Sequence, residues 1–341
     1  MIKIYFLRPL VVIFLALFLF SCDRGPVERS AVGEALGTTY QVKYFSEEDL
    51  PIDKALDSIF ERVNQSMSTY RKDSDISRLN RGDSLVKVDS LFQEVFRLSE
   101  KVYRESGGYF DPTVGNLVNL YGFGPEKGAR EIDSVKIDSI MRDVGLGKVK
   151  IAADGKVTKT SPNVYLDFNA IAKGYAIDLI GHYLESKGVE NYLVELGGEL
   201  LAKGENLSKE DHWMVGVDDP GQKADERTLT AAVKLINRAM ATSGNYRKNR
   251  TDPKTGKMYV HTVNPLTGYA EQSNVLSASV LAENCALADA YATAFMAMGL
   301  ERSKQLLSKL DNVDAFLIYA KENGEMGRYA TSGFEEVLVE L

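Results

Sequence analysis

Asp289 and Thr293 are the residues of this chain whose types and spacing are best suited to chemistry. They lie in the stretch 282–299 (AENCALADAYATAFMAMG), where Asn284 can cap a helix and Gly299 can end it. Residues four apart share one helix face, and a carboxylate with a hydroxyl on that face can ligate Mg²⁺ or Ca²⁺. The helix alone leaves an alternative open, an Asp that interacts with the helix dipole and a Thr bonded to its own helix.

Two further segments carry candidate binding residues. Asp167 ends a predicted strand, and residues 170–174 turn into a helix whose free N–H groups would face an anion, beside the positive charge of Lys173. The alternative for this segment is a plain helix start with a surface lysine. His261 lies between a predicted strand and the turn at 264–268, where it is either a base or a satisfied polar side chain.

Familiar catalytic and nucleotide-binding signatures are absent from the sequence. No G-x-G-x-x-G motif follows the first predicted strand, and there is no P-loop, G-x-S-x-G elbow or H-E-x-x-H motif. With only three histidines, the chain does not favour a multi-histidine zinc site. The net charge of −7 argues against a nucleic-acid partner, which would need a basic face.

The first residues predict a secretion signal. Lys3 and Arg8 precede an unbroken apolar run at 10–20, which is too short to span a bilayer and is typical of a signal peptide. The run ends in LFSC at 19–22, which resembles the lipobox of bacterial lipoproteins and implies cleavage before an acylated Cys22. We therefore expect a lipid-anchored protein on the extracytoplasmic, periplasmic face of a bacterial membrane. Asp23 after the cysteine resembles an inner-membrane retention signal.

Cys285 would then be the one thiol left, which excludes an intramolecular disulfide.

Periodicity and turn residues predict interleaved helices and strands. The predicted strands are 38–45, 148–151, 157–159, 164–168, 192–195, 213–217, 229–235, 239–242, 258–263, 275–281 and 315–319, and the predicted helices are 51–67, 91–106, 170–187, 282–299 and 303–310. We expect an α/β (α+β) protein with a mixed β-sheet. The predicted organisation is a signal peptide at 1–21, a lipidated cysteine and tether at 22–30, and one domain at 31–341, because no linker or repeat separates two halves.

Six segments, taken in order, resemble the ApbE family of FAD:protein FMN transferases, and together they span most of the mature chain. The segments are LGTTY at 36–40, MSTY with SDIS at 67–77, FDPTVG at 110–115, AIAKGY at 170–175, TSGNY at 242–246 with HTVNPLTG at 261–268, and ADAYATA at 288–294.

The resemblance implies an α/β fold that binds FAD in a cleft, with Mg²⁺ at the pyrophosphate and with Ca²⁺ or Mn²⁺ as other possible ions. By position, the metal ligands are Asp289, Thr293 and the Ala170 carbonyl, and His261 assists proton removal with Asp167 as reserve. The residues that match flavin-binding and adenine-binding positions are Leu36, Tyr70, Phe110, Asp111, Pro112, Asp167, Lys173 and Thr262.

The reaction implied is transfer of FMN from FAD to a Thr or Ser hydroxyl of acceptor flavoprotein subunits in membrane redox complexes, with release of AMP. Two alternatives stay open. The same metal site could use water and hydrolyse FAD to FMN and AMP, or the chain could be a non-catalytic flavin-binding lipoprotein. An Asp289/Thr293 metal pair argues against pure binding, since binding alone would not need a metal at the pyrophosphate.

Overall fold

Strands and helices alternate along the part of the chain that this computed structural model describes, namely residues 25–126, 132–222, 228–245, 249–251, 256 and 258–339. The strands are β1 (Val27–Ala35), β2 (Thr38–Ser46), β3 (Val149–Ile151), β4 (Val157–Lys159), β5 (Tyr192–Leu196), β6 (Glu199–Lys203), β7 (Trp213–Asp218), β8 (Leu229–Leu235), β9 (Ala239–Gly244), β10 (Asn249–Thr251), β11 (Met258–Val260), β12 (Val275–Ala282), β13 (Asp314–Ala320), β14 (Met326–Ala330) and β15 (Leu338–Val339). The helices are α1 (Ile52–Met67), α2 (Asp75–Asn80), α3 (Ser90–Glu105), α4 (Gly115–Leu120), α5 (Ser134–Met141), α6 (Ala172–Ser186), α7 (Cys285–Met298), α8 (Leu300–Leu307) and α9 (Ser332–Glu335), with a 3₁₀ turn at Leu146–Lys148.

Eight strands form one sheet in the order β1-β2-β5-β6-β9-β12-β13-β14. The α/β class predicted from the sequence is confirmed, but the expected mixed pairing is not, because every neighbouring pair in this sheet is antiparallel. The connection from β12 to β13 shows how two neighbouring strands come to be antiparallel. Two helices, α7 and α8, lie between these strands, so the chain crosses the helical layer twice and re-enters the sheet in the opposite direction.

The two faces of the large sheet are covered differently. Helices α1, α3, α6 and α7 pack together over one face and form the largest apolar core with it. The three-stranded sheet β15-β8-β7 covers the other face, where Trp213 and the stacked rings of Phe316 and Phe334 are buried. Helix α7 contacts β9, β12, α3 and α6, and twelve of its fourteen residues are buried. Its nearly all-apolar sequence matches this central position.

A smaller apolar cluster holds the loops around the end of β11. It includes Leu117 on α4, Tyr121 directly after α4, Ile137 on α5 and Tyr259 on β11. The Tyr121 hydroxyl donates a hydrogen bond of 3.0 Å to the Gly268 carbonyl. This cluster therefore fixes the turn at 264–268 against the segment that begins with α4.

Several boundaries differ from the sequence predictions. The tether predicted at 22–30 is wrong from Val27 onward, because β1 pairs with β2 over its whole length, through a turn in which Leu36 and Gly37 both have positive φ. The segment 164–168 is not a strand, since only Tyr165 bridges to Val114. The strand predicted at 258–263 ends at Val260, and the helix predicted at 303–310 lies at Leu300–Leu307.

The predicted signal peptide and Cys22 lie outside the described residues. Within those residues, no helix has both the length and the apolar character needed to cross a membrane.

Candidate functional site

The N-terminus of helix α7 is held by two capping side chains. The Asn284 side chain accepts a hydrogen bond of 2.9 Å from the Leu287 amide, as the sequence predicts. The carboxylate of Asp178, on α6, accepts bonds of 2.7 Å and 2.9 Å from the amides of Cys285 and Ala286. Burial raises the pKa of Asp178 to about 7. This second cap comes from another element and ties α7 to α6.

Gly174 lets α6 and α7 approach each other closely. A Cβ at this position would lie 2.5 Å from the carbonyl carbon of Cys285 and 2.8 Å from the Ala286 nitrogen, so no larger residue fits without separating the helices. The Gly174 amide also donates a bond of 3.4 Å to Asp289 Oδ2. The beginning of α6 is therefore placed directly beside the metal-ligand candidates on α7.

A cavity of about 360 Å³ opens where these two helices meet the loops. Its walls contain eleven of the predicted site residues: Tyr70, Phe110, Asp111, Pro112, Asp167, Ala170, Lys173, His261, Thr262, Asp289 and Thr293. Leu36 is the exception, because it lines a neighbouring cavity of about 680 Å³. The two cavities share Tyr70, Asn169 and Lys173, so a long ligand can extend from one into the other.

Asp111 and Asp167 hold loops as well as lining the cavity. The Asp111 carboxylate accepts hydrogen bonds from the amide and hydroxyl of Thr113, at 2.8 Å and 2.6 Å, and from the Leu146 amide at 3.2 Å. Asp167 accepts a bond of 2.8 Å from the Asn169 amide. Burial raises the pKa of both carboxyl groups. Both residues therefore shape the walls through hydrogen bonds that sequence spacing did not reveal.

A lysine between two buried carboxylates forms the charged centre of the cavity. Lys173 Nζ lies 3.0 Å from Glu199 Oε1 and 3.7 Å from Asp289 Oδ2. Burial alone would lower the pKa of Lys173, but the charges of Asp289 and Glu199 outweigh burial and raise it. Burial raises the pKa of Asp289, against the opposing effect of Lys173, and raises that of Glu199 to about 7. At neutral pH the ammonium is therefore charged.

His261 and Thr262 lie in the wall of the cavity, where the His261 ring packs against an aromatic side chain. The ring of His261 meets that of Phe123 edge to face, with centroids 6.4 Å apart. The Thr262 hydroxyl donates a bond of 3.1 Å to Asn245 Oδ1. Asn245 lies just after β9, so the bond fixes the segment carrying His261 to the end of the central sheet.

The donor atoms around Asp289 suit a hard divalent cation. No group of three or more His, Cys, Asp or Glu side chains in the described ranges could hold a metal ion, so such a site must also use hydroxyl and carbonyl oxygens. Asp289, Thr293 and Ala170 all line the same cavity. The oxygens that these residues can offer are a carboxylate, a hydroxyl and a backbone carbonyl. These are the oxygen ligands that Mg²⁺ and Ca²⁺ take, and three of them leave positions for phosphate and water.

Comparison with known proteins agrees with this geometry. The model of the ApbE family matches residues 36–317. The chain belongs to the ApbE family.

Curated relatives cover nearly the whole chain. The FAD:protein FMN transferase of Vibrio cholerae is 35% identical over 332 residues, covering 94% of this chain and 96% of the relative. The FAD:protein FMN transferase of Haemophilus influenzae is 31% identical over 340 residues and covers 96% of each.

Solved structures share the fold. The flavin transferase ApbE from Vibrio cholerae superposes with a TM-score of 0.81 at 31% identity, covering 92% of this chain and 99% of that one. The apo form of the Pseudomonas stutzeri flavinyl transferase ApbE gives 0.79 at 28% identity, covering 92% and 97%.

Sequence reasoning missed Glu199 and Asp178. Each carried a signal that could have found it, namely an acidic residue inside an apolar stretch: Glu199 begins a buried strand after a Gly-Gly turn, and Asp178 interrupts the apolar run of α6. An acid in such a position needs a partner when buried. Only the fold shows that the partners are Lys173 and the start of α7.

Proposed function

We propose that this protein transfers FMN from FAD to a Thr or Ser hydroxyl of extracytoplasmic acceptor flavoproteins, using Mg²⁺ and releasing AMP. The relatives named FAD:protein FMN transferase support flavin transfer. The structural observation that carries the proposal is the convergence of Asp289, Thr293, Ala170, Lys173 and His261 on one cavity. Oxygen ligands and an ammonium suit a pyrophosphate, and an imidazole suits removal of a hydroxyl proton.

The shape and lining of the two cavities suit a dinucleotide. FAD has two ring systems joined by a pyrophosphate, and each cavity has apolar walls, with Phe110 and Val263 in one and Leu36 and Met67 in the other. Lys173 lines both. With one ring system in each cavity, the pyrophosphate would cross between them beside the ammonium.

The reaction is a displacement at phosphorus. The acceptor hydroxyl oxygen forms a bond to the phosphorus on the riboflavin side, the bond from that phosphorus to the bridging oxygen breaks, and AMP leaves with the electron pair. His261 takes the hydroxyl proton, which is typically worth about 10²–10⁴-fold in rate, and Asp167 is the reserve candidate for this role. Lys173 offsets negative charge on the phosphates. When bound at Asp289, Thr293 and Ala170, Mg²⁺ would supply further neutralisation of the phosphate oxygens, and Mn²⁺ or Ca²⁺ suit the same ligands.

The test uses the soluble part of the chain with FAD, Mg²⁺ and an acceptor domain from a flavoprotein subunit of a membrane redox complex. Flavin fluorescence that stays with the acceptor after denaturing electrophoresis is the expected result. FMN and AMP without labelled acceptor would instead identify an FAD hydrolase, and unchanged FAD would reject both activities. Asp289→Asn should abolish labelling at ordinary Mg²⁺ concentrations, whereas the exposed Asp311→Asn serves as the matched control.

We also propose that Cys22 is acylated and anchors the protein to the extracytoplasmic face of a bacterial membrane, in the periplasm at the inner membrane. The lipobox-like sequence at 19–22 supports this. In a bacterial host, radiolabelled palmitate should be incorporated into the full chain and the protein should sediment with membranes. Cys22→Ala should lose the label, and a labelled Cys22→Ala protein would place the acylation elsewhere.

A further inference from the structure

Glu199 is a charged residue of the cavity that has no role in the mechanism above. It is the first residue of β6, directly after the turn Gly197-Gly198, and its side chain is only 8% exposed. Its Oε1 pairs with Lys173 at 3.0 Å, while its Oε2 is buried with no hydrogen-bond partner in the described part of the chain. An acid that served only the fold would be expected to have both oxygens bonded.

The Lys173 ammonium can form an ion pair with either of two carboxylates, those of Glu199 and Asp289. Its ammonium lies closer to Glu199, at 3.0 Å, than to Asp289, at 3.7 Å. The Asp289 carboxylate is therefore only loosely engaged, by Lys173 and by the Gly174 amide at 3.4 Å. Asp289 is also the carboxylate that must be available to a cation.

Removal of the Glu199 charge would change which carboxylate the Lys173 ammonium contacts. A buried ammonium that loses one of two carboxylate partners strengthens its contact with the other, because an unpaired charge is costly in a buried site. Lys173 would then bind Asp289 directly and compete with a cation for the same oxygens.

We propose that Glu199 is a positioning residue for metal binding: it holds the Lys173 ammonium away from Asp289, so that the Asp289 carboxylate stays open to a divalent cation. This inference rests on the metal site of the proposed function. It requires neither bound FAD nor an acceptor protein, so it can be tested apart from transfer.

The test is a double-mutant cycle that measures Mn²⁺ affinity by electron paramagnetic resonance, on protein without FAD. Glu199→Gln should weaken Mn²⁺ binding by about tenfold. Lys173→Met added to Glu199→Gln should restore affinity by at least about fivefold, since the competitor is removed, whereas Lys173→Met made with Glu199 intact should raise affinity by a smaller factor. Glu195→Gln, on the same hairpin but outside the cavity, removes the same charge and should leave affinity unchanged.

Three results would overturn the inference. The first is unchanged Mn²⁺ affinity in Glu199→Gln. The second is additivity, in which Lys173→Met changes Mn²⁺ affinity by the same factor with and without Glu199. Additive effects would mean that Glu199 acts on the cation through its own charge or as a direct ligand, and not through Lys173. The third is an absence of Mn²⁺ binding by the unmodified protein at millimolar ion, which would also reject the metal site.

Circular dichroism and thermal unfolding of every variant confirm folding. If Glu199→Gln does not fold, Glu199→Asp replaces it: the shorter carboxylate should hold Lys173 less well and give weaker binding, which unchanged affinity would contradict.

If FMN transfer fails but the double-mutant cycle gives the expected Mn²⁺ affinities, the proposed function is rejected and the role of Glu199 stands.

Discussion

Gly174→Ala should separate helices α6 and α7, whose contact positions the proposed metal ligands. The new Cβ would lie 2.5 Å from the Cys285 carbonyl carbon, and it would have to retreat by about 0.9 Å to reach the 3.4 Å of an ordinary contact. Its neighbours are backbone atoms of α7, which cannot rotate away as a side chain can. The substitution therefore displaces α6 and α7 relative to each other.

The displacement should lower stability, metal affinity and reaction rate. Overpacking of this kind costs about 1–3 kcal/mol, against roughly 1 kcal/mol gained in helix propensity when Gly becomes Ala. Because the contacts are with backbone, we expect the upper end, a net loss of about 2 kcal/mol in the free energy of unfolding. Metal–ligand distances tolerate only about 0.2 Å, so a shift of nearly 1 Å between Ala170 and Asp289 should weaken metal binding sharply. Misplacement by 1 Å can also slow a reaction by about 10²-fold.

Urea unfolding in the presence of EDTA measures the stability change, and Mn²⁺ titration with acceptor labelling measures the loss at the site. Gly147→Ala is the matched control, because a Cβ there meets no atom within 4 Å and φ is not positive. Wild-type stability together with wild-type Mn²⁺ affinity in Gly174→Ala would refute the close helix contact as the device that places the ligands.

Further predictions concern proton transfer, the pH dependence of stability and the binding of FAD. His261→Ala should keep FAD binding, measured by quenching of flavin fluorescence, and slow acceptor labelling by about 10²–10⁴-fold; an unchanged rate would leave Asp167 as the base to examine. The contribution of Asp178 to the stability of metal-free protein should fall as pH rises from about 4 to 7, because Asp178 has its pKa raised to about 7 in the folded state and so binds a proton there that the unfolded chain has lost. The urea midpoint of Asp178→Asn, taken relative to wild type at the same pH, should therefore be higher at pH 7.5 than at pH 5, and an unchanged relative midpoint would show that Asp178 does not titrate in this range. Leu36→Ala should weaken FAD binding without changing Mn²⁺ affinity, since Leu36 lines the neighbouring cavity and lies apart from the metal ligands; a loss of Mn²⁺ affinity would contradict this separation.

The sequence by itself determined the elements whose causes are local. Helix α7 was predictable, with Asn284 at its cap and Gly299 after its end, because capping and helix propensity depend on residues a few positions apart. The same spacing places Asp289 and Thr293 one turn apart. The resemblance then identified eleven of the twenty-three residues that line the cavity.

Tertiary structure alone decided how these elements are paired and which charges meet. Strand β1 exists because β2 pairs with it, although its first residues have the composition of a tether. The pairing of Lys173 with Glu199 joins residues from two elements, and the cap that Asp178 provides crosses from α6 to α7. Such contacts depend on how helices cross and strands align, and no short-range pattern in the chain encodes them. That is why the proposed metal ligands could be named from the sequence, whereas the residue proposed to keep them available could not.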